Sequence, residues 1–172
     1  PDILRDALSF LRPQMKEIRL DISGLPERLP IQGDRILLEQ VCINLLLNAL
    51  TSMKGKGTLT IRGETFRRSE KPWCRISISD SGAGIPPENI DKIFEPFFTT
   101  KPVGKGTGLG LSIIYGLVKD FGGSISARNR DEGGALFEIR FPITRRGDLA
   151  PNAPADGNRA GGVSGPQPEQ IS

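Results

Sequence analysis

The sequence predicts an α+β fold in which helices cover one face of a mixed, mainly antiparallel sheet. Several short runs alternate apolar with polar residues and are separated by turn sequences, a pattern typical of strands that pair as hairpins. Three longer segments repeat apolar residues with the period of a helix. Because helices are few and strands follow one another through turns, a two-layer α/β sandwich explains this order better than a parallel sheet does.

The N-terminal part begins with a helix and continues with a strand. Residues 2–15 place their apolar side chains on one helical face, with Asp2 as a candidate cap and Pro13 as the residue that ends the helix. Apolar and charged residues alternate over residues 16–22, which predicts a half-buried strand. A further short strand is predicted over residues 29–32.

The next segment predicts a buried helix over residues 35–54, with Asp34 as its N-cap and Gly55 as its end. The segment is apolar nearly all round, as expected of a helix without a solvent-exposed face. Two amides, Asn44 and Asn48, interrupt it on one face, and buried amides need hydrogen-bond partners. Either they bond to neighbouring loops, or they face a cavity and hold a hydrated cation. The helix alone leaves both interpretations open.

The middle of the chain predicts a hairpin followed by irregular structure. Residues 58–66 and 73–79 alternate as two paired strands, and Asp80 ends the second of them. Residues 88–93 follow two prolines and have the composition of a short helix. Residues 94–105 show no period and form a long loop, which in a compact domain tends to be functional or mobile.

The C-terminal part predicts a helix over residues 109–121 and a second hairpin with strands at 124–129 and 135–141. Residues 1–144 are therefore predicted to form one domain. Residues 145–172 are rich in Pro, Gly, Ala and Asn and almost lack large apolar side chains, so we expect a disordered tail or linker there.

The composition excludes several kinds of site. The chain of 172 residues contains no histidine, which removes histidine-based acid–base catalysis and most zinc sites. Cys42 and Cys74 lack a metal-ligand spacing, and we interpret them as reduced core thiols of a cytoplasmic domain. The net charge of +3 comes from scattered residues, so no nucleic-acid surface is predicted. No apolar run approaches the ~20 residues of a membrane span, so no membrane contact is expected.

Two glycine clusters mark the expected ligand site. Residues 80–84 (DSGAG) directly follow a predicted strand, and residues 104–110 (GKGTGLG) directly precede a predicted helix. Glycine lets the backbone turn sharply and approach a ligand closely, and a helix N-terminus favours an anion. The clusters match neither the dinucleotide-binding fingerprint nor the P-loop. The sequence thus predicts a different nucleotide pocket, with one cluster near the base and the other on the phosphates.

Four sequence blocks resemble, in order, the four boxes of the histidine kinase catalytic domain. Residues 44–49 (NLLLNA) resemble the N box, 80–85 (DSGAGI) the G1 box, 94–101 (FEPFFTTK) the F box and 106–111 (GTGLGL) the G2 box. The resemblance covers roughly residues 1–144 and implies the Bergerat fold of the gyrase, Hsp90 and MutL superfamily. The wording of the F box is most similar to that of nitrogen-regulation and C4-dicarboxylate sensor kinases.

The resemblance implies that Asp80 accepts a hydrogen bond from the exocyclic amine of adenine, as an ionised acceptor can do strongly. Thr107 and Ser79 are both candidates to support this carboxylate. Gly82 and Gly84 would let the backbone pass close to the base. The nucleotide-binding residues that the resemblance implies are Asn44, Asn48, Asp80, Gly82, Gly84, Ile85, Phe98, Thr100, Lys101, Lys105, Gly106, Thr107, Gly108, Leu109, Gly110 and Leu111.

The resemblance also implies ATP and Mg²⁺ as cofactors, with Asn48, and to a lesser degree Asn44, as metal ligands. Many members carry a basic residue that touches phosphate three positions after this asparagine, where this chain has Thr51. Lys101 and Lys105 are candidates to supply that charge, and they are interpreted equally well as solvated loop lysines.

The long loop corresponds to the lid that closes over ATP in this family. Phe94, Phe97 and Phe98 are expected to anchor it to the core. After the lid, the glycines of the second cluster lead into a helix whose free N–H groups would meet the β- and γ-phosphates.

The implied reaction is transfer of the γ-phosphoryl group of ATP to a histidine. In this family that histidine lies on a separate helical dimerisation domain, which feeds the receiver domain of a response regulator. Without a histidine, this chain is not expected to phosphorylate itself. Three alternatives stay open: an ATPase clamp of the gyrase–MutL type, whose glutamate base is replaced here by Asn44, a nucleotide-gated interaction module, and a serine kinase of the anti-sigma-factor kind.

Overall fold

The structure, a computed structural model, describes residues 1–25, 31, 33–100 and 107–143. Three helices and five strands occur in these residues. The helices are α1 (Asp2–Leu11), α2 (Arg35–Ser52) and α3 (Gly110–Asp120). The strands are β1 (Glu17–Ser23), β2 (Lys56–Arg68), β3 (Lys71–Asp80), β4 (Ser124–Asn129) and β5 (Ala135–Pro142). The predicted tail over residues 145–172 lies outside the described part of the chain.

The five strands form one mixed sheet in the order β1-β2-β3-β5-β4. β1 runs parallel to β2, and every other neighbouring pair is antiparallel. α2 contacts β2 and β3, α3 contacts β4, and both α1 and α3 pack against α2. The helices thus form a layer over one face, which confirms the predicted two-layer sandwich.

The core lies between α2 and the sheet. Leu45 and Leu46 of α2 are completely buried, as are Leu59 and Ile61 of β2. Alternate residues of β5 point into the same layer because side chains of a strand alternate between its two faces. The prediction of a helix buried nearly all round holds only in part: Ile36 in the first turn is 74% exposed, and Gln40 and Thr51 are exposed as well.

Both ends of α2 follow the sequence prediction. The Asp34 carboxylate accepts hydrogen bonds from the N–H groups of Ile36 and Leu37, at 2.7 and 3.2 Å. These bonds satisfy donors that have no partner within the helix. Gly55, with a φ of +84°, lies just beyond the last turn.

The first helix differs from its prediction at both ends. It ends at Leu11, and Pro13 lies in a 3₁₀ turn over Arg12–Gln14. Asp2 does not cap it, because Pro1 occupies the cap position and Asp2 lies in the first turn. There its carboxylate pairs with Arg5 at 3.1 Å.

The first strand is more exposed than its alternating pattern predicts. Leu20 and Ile22 are 40% and 43% exposed. Their register partners in β2 are buried, so these side chains share the inward face. β1 lies at the edge of the sheet. How far the helices cover that edge depends on the tertiary structure and cannot be predicted from the alternation of residues in the strand. Of the short strand predicted at 29–32, only Ile31 is described, and it forms an isolated bridge with Ile143.

The predicted hairpins are present, and the predicted short helix is not. Ser69 and Glu70 make the tight turn between β2 and β3 with φ values of 47° and 63°. β4 and β5 pair as predicted. Residues 88–93 form no α-helix; a single 3₁₀ turn covers Pro87–Asn89. Residues 94–100 contain neither helix nor strand, as predicted for the start of the long loop.

Both cysteines are free thiols that pack in or against the core. Burial raises the pKa of the Cys42 thiol to about 11. Burial also raises the pKa of Cys74, against a smaller opposing effect of backbone hydrogen bonds. Both thiols are therefore protonated at neutral pH, in agreement with their prediction as core thiols.

Replacing Gly116 by alanine is expected to stabilise the domain. Gly116 is exposed in α3, and a Cβ there would have no atom within 4 Å. Alanine in an exposed helix is favoured over glycine by roughly 0.5–1 kcal/mol, so thermal unfolding should show a melting temperature higher by about 2–5 °C. Gly55→Ala is the matched control. It also has open space, but its φ of +84° should make the substitution destabilising.

Candidate functional site

A cavity of about 520 Å³ opens between α2, the end of β3 and the start of α3. Its volume lies within the roughly 300–1,000 Å³ of small-molecule sites. The lining residues are Asn44, Leu47, Asn48, Ser52, Asp80, Gly84, Ile85, Pro86, Asn89, Ile93, Phe98, Thr99, Thr100, Thr107, Gly108, Gly110, Leu111, Ala135 and Phe137.

Most of the site residues predicted from the sequence line this one cavity. Those brought together are Asn44, Asn48, Asp80, Gly84, Ile85, Phe98, Thr100, Thr107, Gly108, Gly110 and Leu111. Gly82 and Leu109 do not line it. Lys101, Lys105 and Gly106 lie outside the described residues. Segments that are far apart in sequence therefore meet at one cavity.

Asp80 is the buried charged residue of the site. It ends β3, and only 2% of its surface is exposed. Its carboxylate accepts a hydrogen bond from the Gly82 N–H at 2.8 Å, and further bonds come from the Ala135 N–H and the Ser52 hydroxyl. Burial raises the pKa of Asp80, and these hydrogen bonds and the nearby Arg130 charge oppose the rise without cancelling it.

The raised pKa of Asp80 has a consequence for stability. The folded state binds a proton at Asp80 more tightly than the unfolded chain does. The free energy of unfolding therefore decreases as the pH rises from the ordinary range of an aspartate through the raised value. A buried carboxylate with a perturbed pKa that lines a cavity is a candidate functional group.

The side chain that donates a hydrogen bond to the Asp80 carboxylate is that of Ser52, which was not predicted from the sequence. Ser52 lies in the last turn of α2, lines the cavity and bonds to the Asp80 carboxylate. Of the two predicted candidates, Ser79 lines a separate shallow depression on the opposite face of the sheet, since successive residues of a strand point to opposite faces. The hydroxyl of Thr107 accepts from the Leu109 N–H at 3.3 Å instead.

Gly82 does not line the cavity but donates a hydrogen bond to the Asp80 carboxylate. A Cβ built at Gly82 would overlap the Ser52 hydroxyl and approach the Asp80 Oδ1 to 2.8 Å. The absence of a side chain thus lets its N–H and the Ser52 hydroxyl converge on one carboxylate. This explains a glycine that the sequence analysis assigned to close approach of the base.

The two amides of α2 face the cavity, not neighbouring loops. Asn44 and Asn48 both line it, one helical turn apart. The Asn44 Oδ1 lies 4.0 Å from the position of a Cβ at Gly110, the first residue of α3. The Asn44 amide oxygen therefore lies close to a helix N-terminus, whose free N–H groups favour anions.

The donor set at this point fits Mg²⁺. Magnesium takes hard oxygen ligands, uses few of them from the protein, and completes its shell with water and substrate phosphates. Asn44 and Asn48, two neutral amides that line a cavity together with the first residue of α3, can supply such oxygens. No group of three or more Cys, Asp or Glu that could hold a metal ion occurs in the described residues.

The aromatic residues of the long loop play different parts. Phe94 and Phe98 pack against the core, and Phe94 also contacts the ring of Tyr115 in α3 at 5.6 Å between centroids. Phe97 is 75% exposed and has a φ of 66°, so the prediction that it anchors the loop is wrong. Its backbone packs instead on Gly108, where a Cβ would overlap it.

Comparison with known proteins identifies the family. A family described as "Histidine kinase-, DNA gyrase B-, and HSP90-like ATPase" matches residues 33–145. The chain belongs to this family. The domain is 43% identical over 142 residues to the two-component sensor PprA of Pseudomonas aeruginosa, covering 80% of this chain and 15% of that protein. It is 35% identical over 147 residues to the sensor histidine kinase ZraS of Salmonella typhi, covering 84% of this chain and 30% of that protein.

Solved structures place the kinase domain within the same family. The nucleotide-free catalytic domain of the histidine kinase ThkA matches with a TM-score of 0.73 and 34% identity, covering 84% of this chain and 94% of that chain. The complex of ThkA with the response regulator TrrA matches with a TM-score of 0.67 and 31% identity, over 83% of this chain and 40% of that chain. The Bergerat-type fold and the catalytic ATPase domain of a two-component sensor histidine kinase are thereby confirmed.

The kinase domain spans only 15% of PprA and 30% of ZraS. It corresponds to one part of these longer proteins. Within its described residues, no helix is both long and apolar enough to cross a membrane.

Proposed function

We propose that this domain binds Mg²⁺-ATP in the cavity and donates the γ-phosphoryl group to a histidine on a separate dimerisation domain, which in turn feeds the receiver domain of a response regulator. One observation carries the proposal. The buried Asp80 carboxylate lines the same cavity as the two amides of α2 and the N-terminus of α3. A hydrogen-bond acceptor for a base and a site for phosphates and their cation are thus present in one pocket.

Asp80 is the proposed recognition group for adenine. The exocyclic amine of adenine is a donor, and an ionised carboxylate is a strong acceptor for it. Because Gly82, Ala135 and Ser52 already orient the carboxylate, it needs no rearrangement when the base arrives. Gly84 and Ile85 line the same region and would bound the base.

The phosphates are proposed to lie between α2 and α3. The first N–H groups of α3 have no partner within the helix and would bind phosphate oxygens, with Gly108 and Gly110 allowing close approach. Asn48, with Asn44, would hold Mg²⁺. The ion, when bound, neutralises charge that develops on the phosphates. We also propose phosphate contacts for Lys101, Lys105 and Gly106, and for these residues the proposal rests on the sequence alone.

The domain supplies positioning rather than the nucleophile. Phosphoryl transfer depends mainly on orientation and on charge stabilisation. The chain has no histidine, so the acceptor must come from another domain. The complex of ThkA with TrrA supports a response regulator as a further partner. We also propose a cytoplasmic location for the domain.

The main alternative is a nucleotide-gated ATPase or interaction module of the gyrase, Hsp90 and MutL type. In that class a glutamate activates water from the position of Asn44. The Asn44 side chain lines the cavity here, and an amide cannot accept the proton of water as a carboxylate does. The geometry therefore favours transfer to an acceptor over hydrolysis.

Phosphorylation in trans tests this function. The chain is mixed with ATP labelled in the γ-phosphate, Mg²⁺ and the histidine-bearing dimerisation domain of its own parent kinase. We expect acid-labile label on that domain, none on the kinase domain, and none on a dimerisation domain whose histidine is replaced by alanine. Release of inorganic phosphate at the same rate without the acceptor would contradict the proposal and favour the ATPase alternative.

The affinity for ATP should fall on acidification at a higher pH than an ordinary aspartate would produce. The ionised Asp80 accepts from the adenine amine more strongly than the neutral acid does, and burial raises the pKa of Asp80. As the pH decreases through the raised value, a growing fraction of the carboxyl is protonated and the apparent Kd increases. Titrations of ATP at a series of pH values measure this. Asp80→Asn is the control. Protonation of ATP itself affects binding to this variant as well, but the additional pH dependence that comes from the Asp80 carboxyl should be absent.

A further inference from the structure

The loop that follows Asp80 is held by a side chain from a distant strand. The Oδ1 of Asn129 accepts from the Ile85 N–H at 2.7 Å, and its Nδ2 donates to the Ile85 carbonyl at 2.6 Å. Asn129 is the last residue of β4 and lies 44 positions further along the chain. Its amide thus pairs with Ile85 as the backbone of a neighbouring antiparallel strand would.

The turn after Asn129 contacts the beginning of the same loop. Arg130 donates to the Asp80 carbonyl at 3.1 Å. The backbone of Gly134 packs so closely on Asp80 that a Cβ there would overlap its carbonyl oxygen. Ala135 donates its N–H to the Asp80 carboxylate. The segment from Asn129 to Ala135, here called the β4–β5 turn, therefore contacts both ends of residues 80–85.

Asn129 provides the hydrogen bonds at the far end of that loop. At its near end, the Ser81 N–H donates to the Thr58 carbonyl at 3.1 Å. Within the described part of the chain, Asn129 is the partner that fixes the peptide groups of Ile85. Gly84, with a φ of +76°, directly precedes this point and would otherwise leave the loop free to rotate.

We propose that Asn129 is a positioning residue for the nucleobase: by fixing Gly84 and Ile85 it sets the wall against which the base meets Asp80. This inference rests on the proposed function, since it assigns Asp80 to adenine. Asn129 does not line the cavity and is not proposed to touch the nucleotide. Its role is to occupy both polar groups of the Ile85 backbone and so to hold this wall in place.

Two variants separate the hydrogen bonds of Asn129. Asn129→Ala removes both of them. Asn129→Asp keeps the shape and the acceptor for the Ile85 N–H, but it replaces the donor by a carboxylate oxygen that repels the Ile85 carbonyl. Ser126→Ala is the matched control, because Ser126 is an exposed residue of the same strand.

Binding of two nucleotides by the variants tests the proposal. Calorimetry would compare ATP with purine riboside triphosphate, which lacks the exocyclic amine. We expect both Asn129 variants to bind ATP about 5- to 50-fold more weakly, the usual range for lost part-buried hydrogen bonds, with much less effect on the analogue. Selectivity for ATP over the analogue should therefore fall. The Ser126→Ala variant should keep the affinity and selectivity of the wild type.

A purely structural role would give a different result. Equal loss of both nucleotides, or unchanged affinity and selectivity in both variants, would overturn the proposal. Amide hydrogen exchange of Ile85 provides a second readout: the wild type and Asn129→Asp should protect it, and Asn129→Ala should not. If the wild type binds ATP and Asp80→Asn weakens that binding while the Asn129 variants do not, this inference fails and the proposed function stands. If the wild type does not discriminate between ATP and the analogue, the adenine assignment itself fails.

Discussion

Gly134→Ala should destabilise the domain by about 3–5 kcal/mol and prevent nucleotide binding. A Cβ at this position would overlap the carbonyl oxygen of Asp80, which is backbone of a central strand. Neither atom can move without displacing the end of β3 or the β4–β5 turn. The φ of +86° adds the strain of a left-handed alanine. Denaturant unfolding and titration with ATP would measure the two effects.

Gly133→Ala is a closely matched control for this substitution. Its φ of +90° is nearly the same, and a Cβ there would have no atom within 4 Å. It should therefore lose only the roughly 1–2 kcal/mol of backbone strain and keep the affinity of the wild type for ATP. Equal behaviour of the two variants would show that the contact between the turn and Asp80 is not what maintains the site.

Asn48→Ala should remove the dependence of ATP binding on Mg²⁺. Asn48 lines the cavity and is the first of the two proposed metal ligands. Without its amide oxygen, we expect the Kd for ATP in Mg²⁺ to rise at least tenfold, toward the value measured in the presence of a chelator. Calorimetric titration with and without Mg²⁺ would give both values. Asn44→Ala should show the same trend to a smaller extent.

The fold should tolerate this change, which makes the result specific. Asn48 is only partly buried, and its neighbours on the inward face of α2 carry the core packing. Gln40→Ala is the control, because Gln40 is an exposed residue of the same helix and does not line the cavity. A variant at Asn48 that retained a full Mg²⁺ effect would exclude it as a ligand.

The fold class could be predicted from the sequence because its signals are local. Asp34 and Gly55 bound the central helix, and the two hairpins are delimited by their turn residues. The exposure of Leu20 and Ile22 was not predictable in the same way. Their alternation is that of a half-buried strand, and only the tertiary arrangement shows how far the helices cover an edge.

The candidate site was predictable where it is built from contiguous blocks and not where it depends on contacts between them. Asn44, Asn48 and Asp80 lie in such blocks and line one cavity. Ser52 and Asn129 act through hydrogen bonds to residues far along the chain, so neither has a local signal. Ser79 could have been rejected, because it precedes Asp80 in a strand and must point to the opposite face.

Calorimetric titration of Mg²⁺-ATP into the domain and into Asp80→Asn tests the central claim most directly. The wild type should bind, and the variant should bind about 10- to 100-fold more weakly, because a charge-assisted hydrogen bond to the base is lost. Circular dichroism would verify that both proteins are folded. Equal affinity of the two folded proteins would contradict the assignment of adenine to Asp80, and with it the account of the cavity as the ATP site.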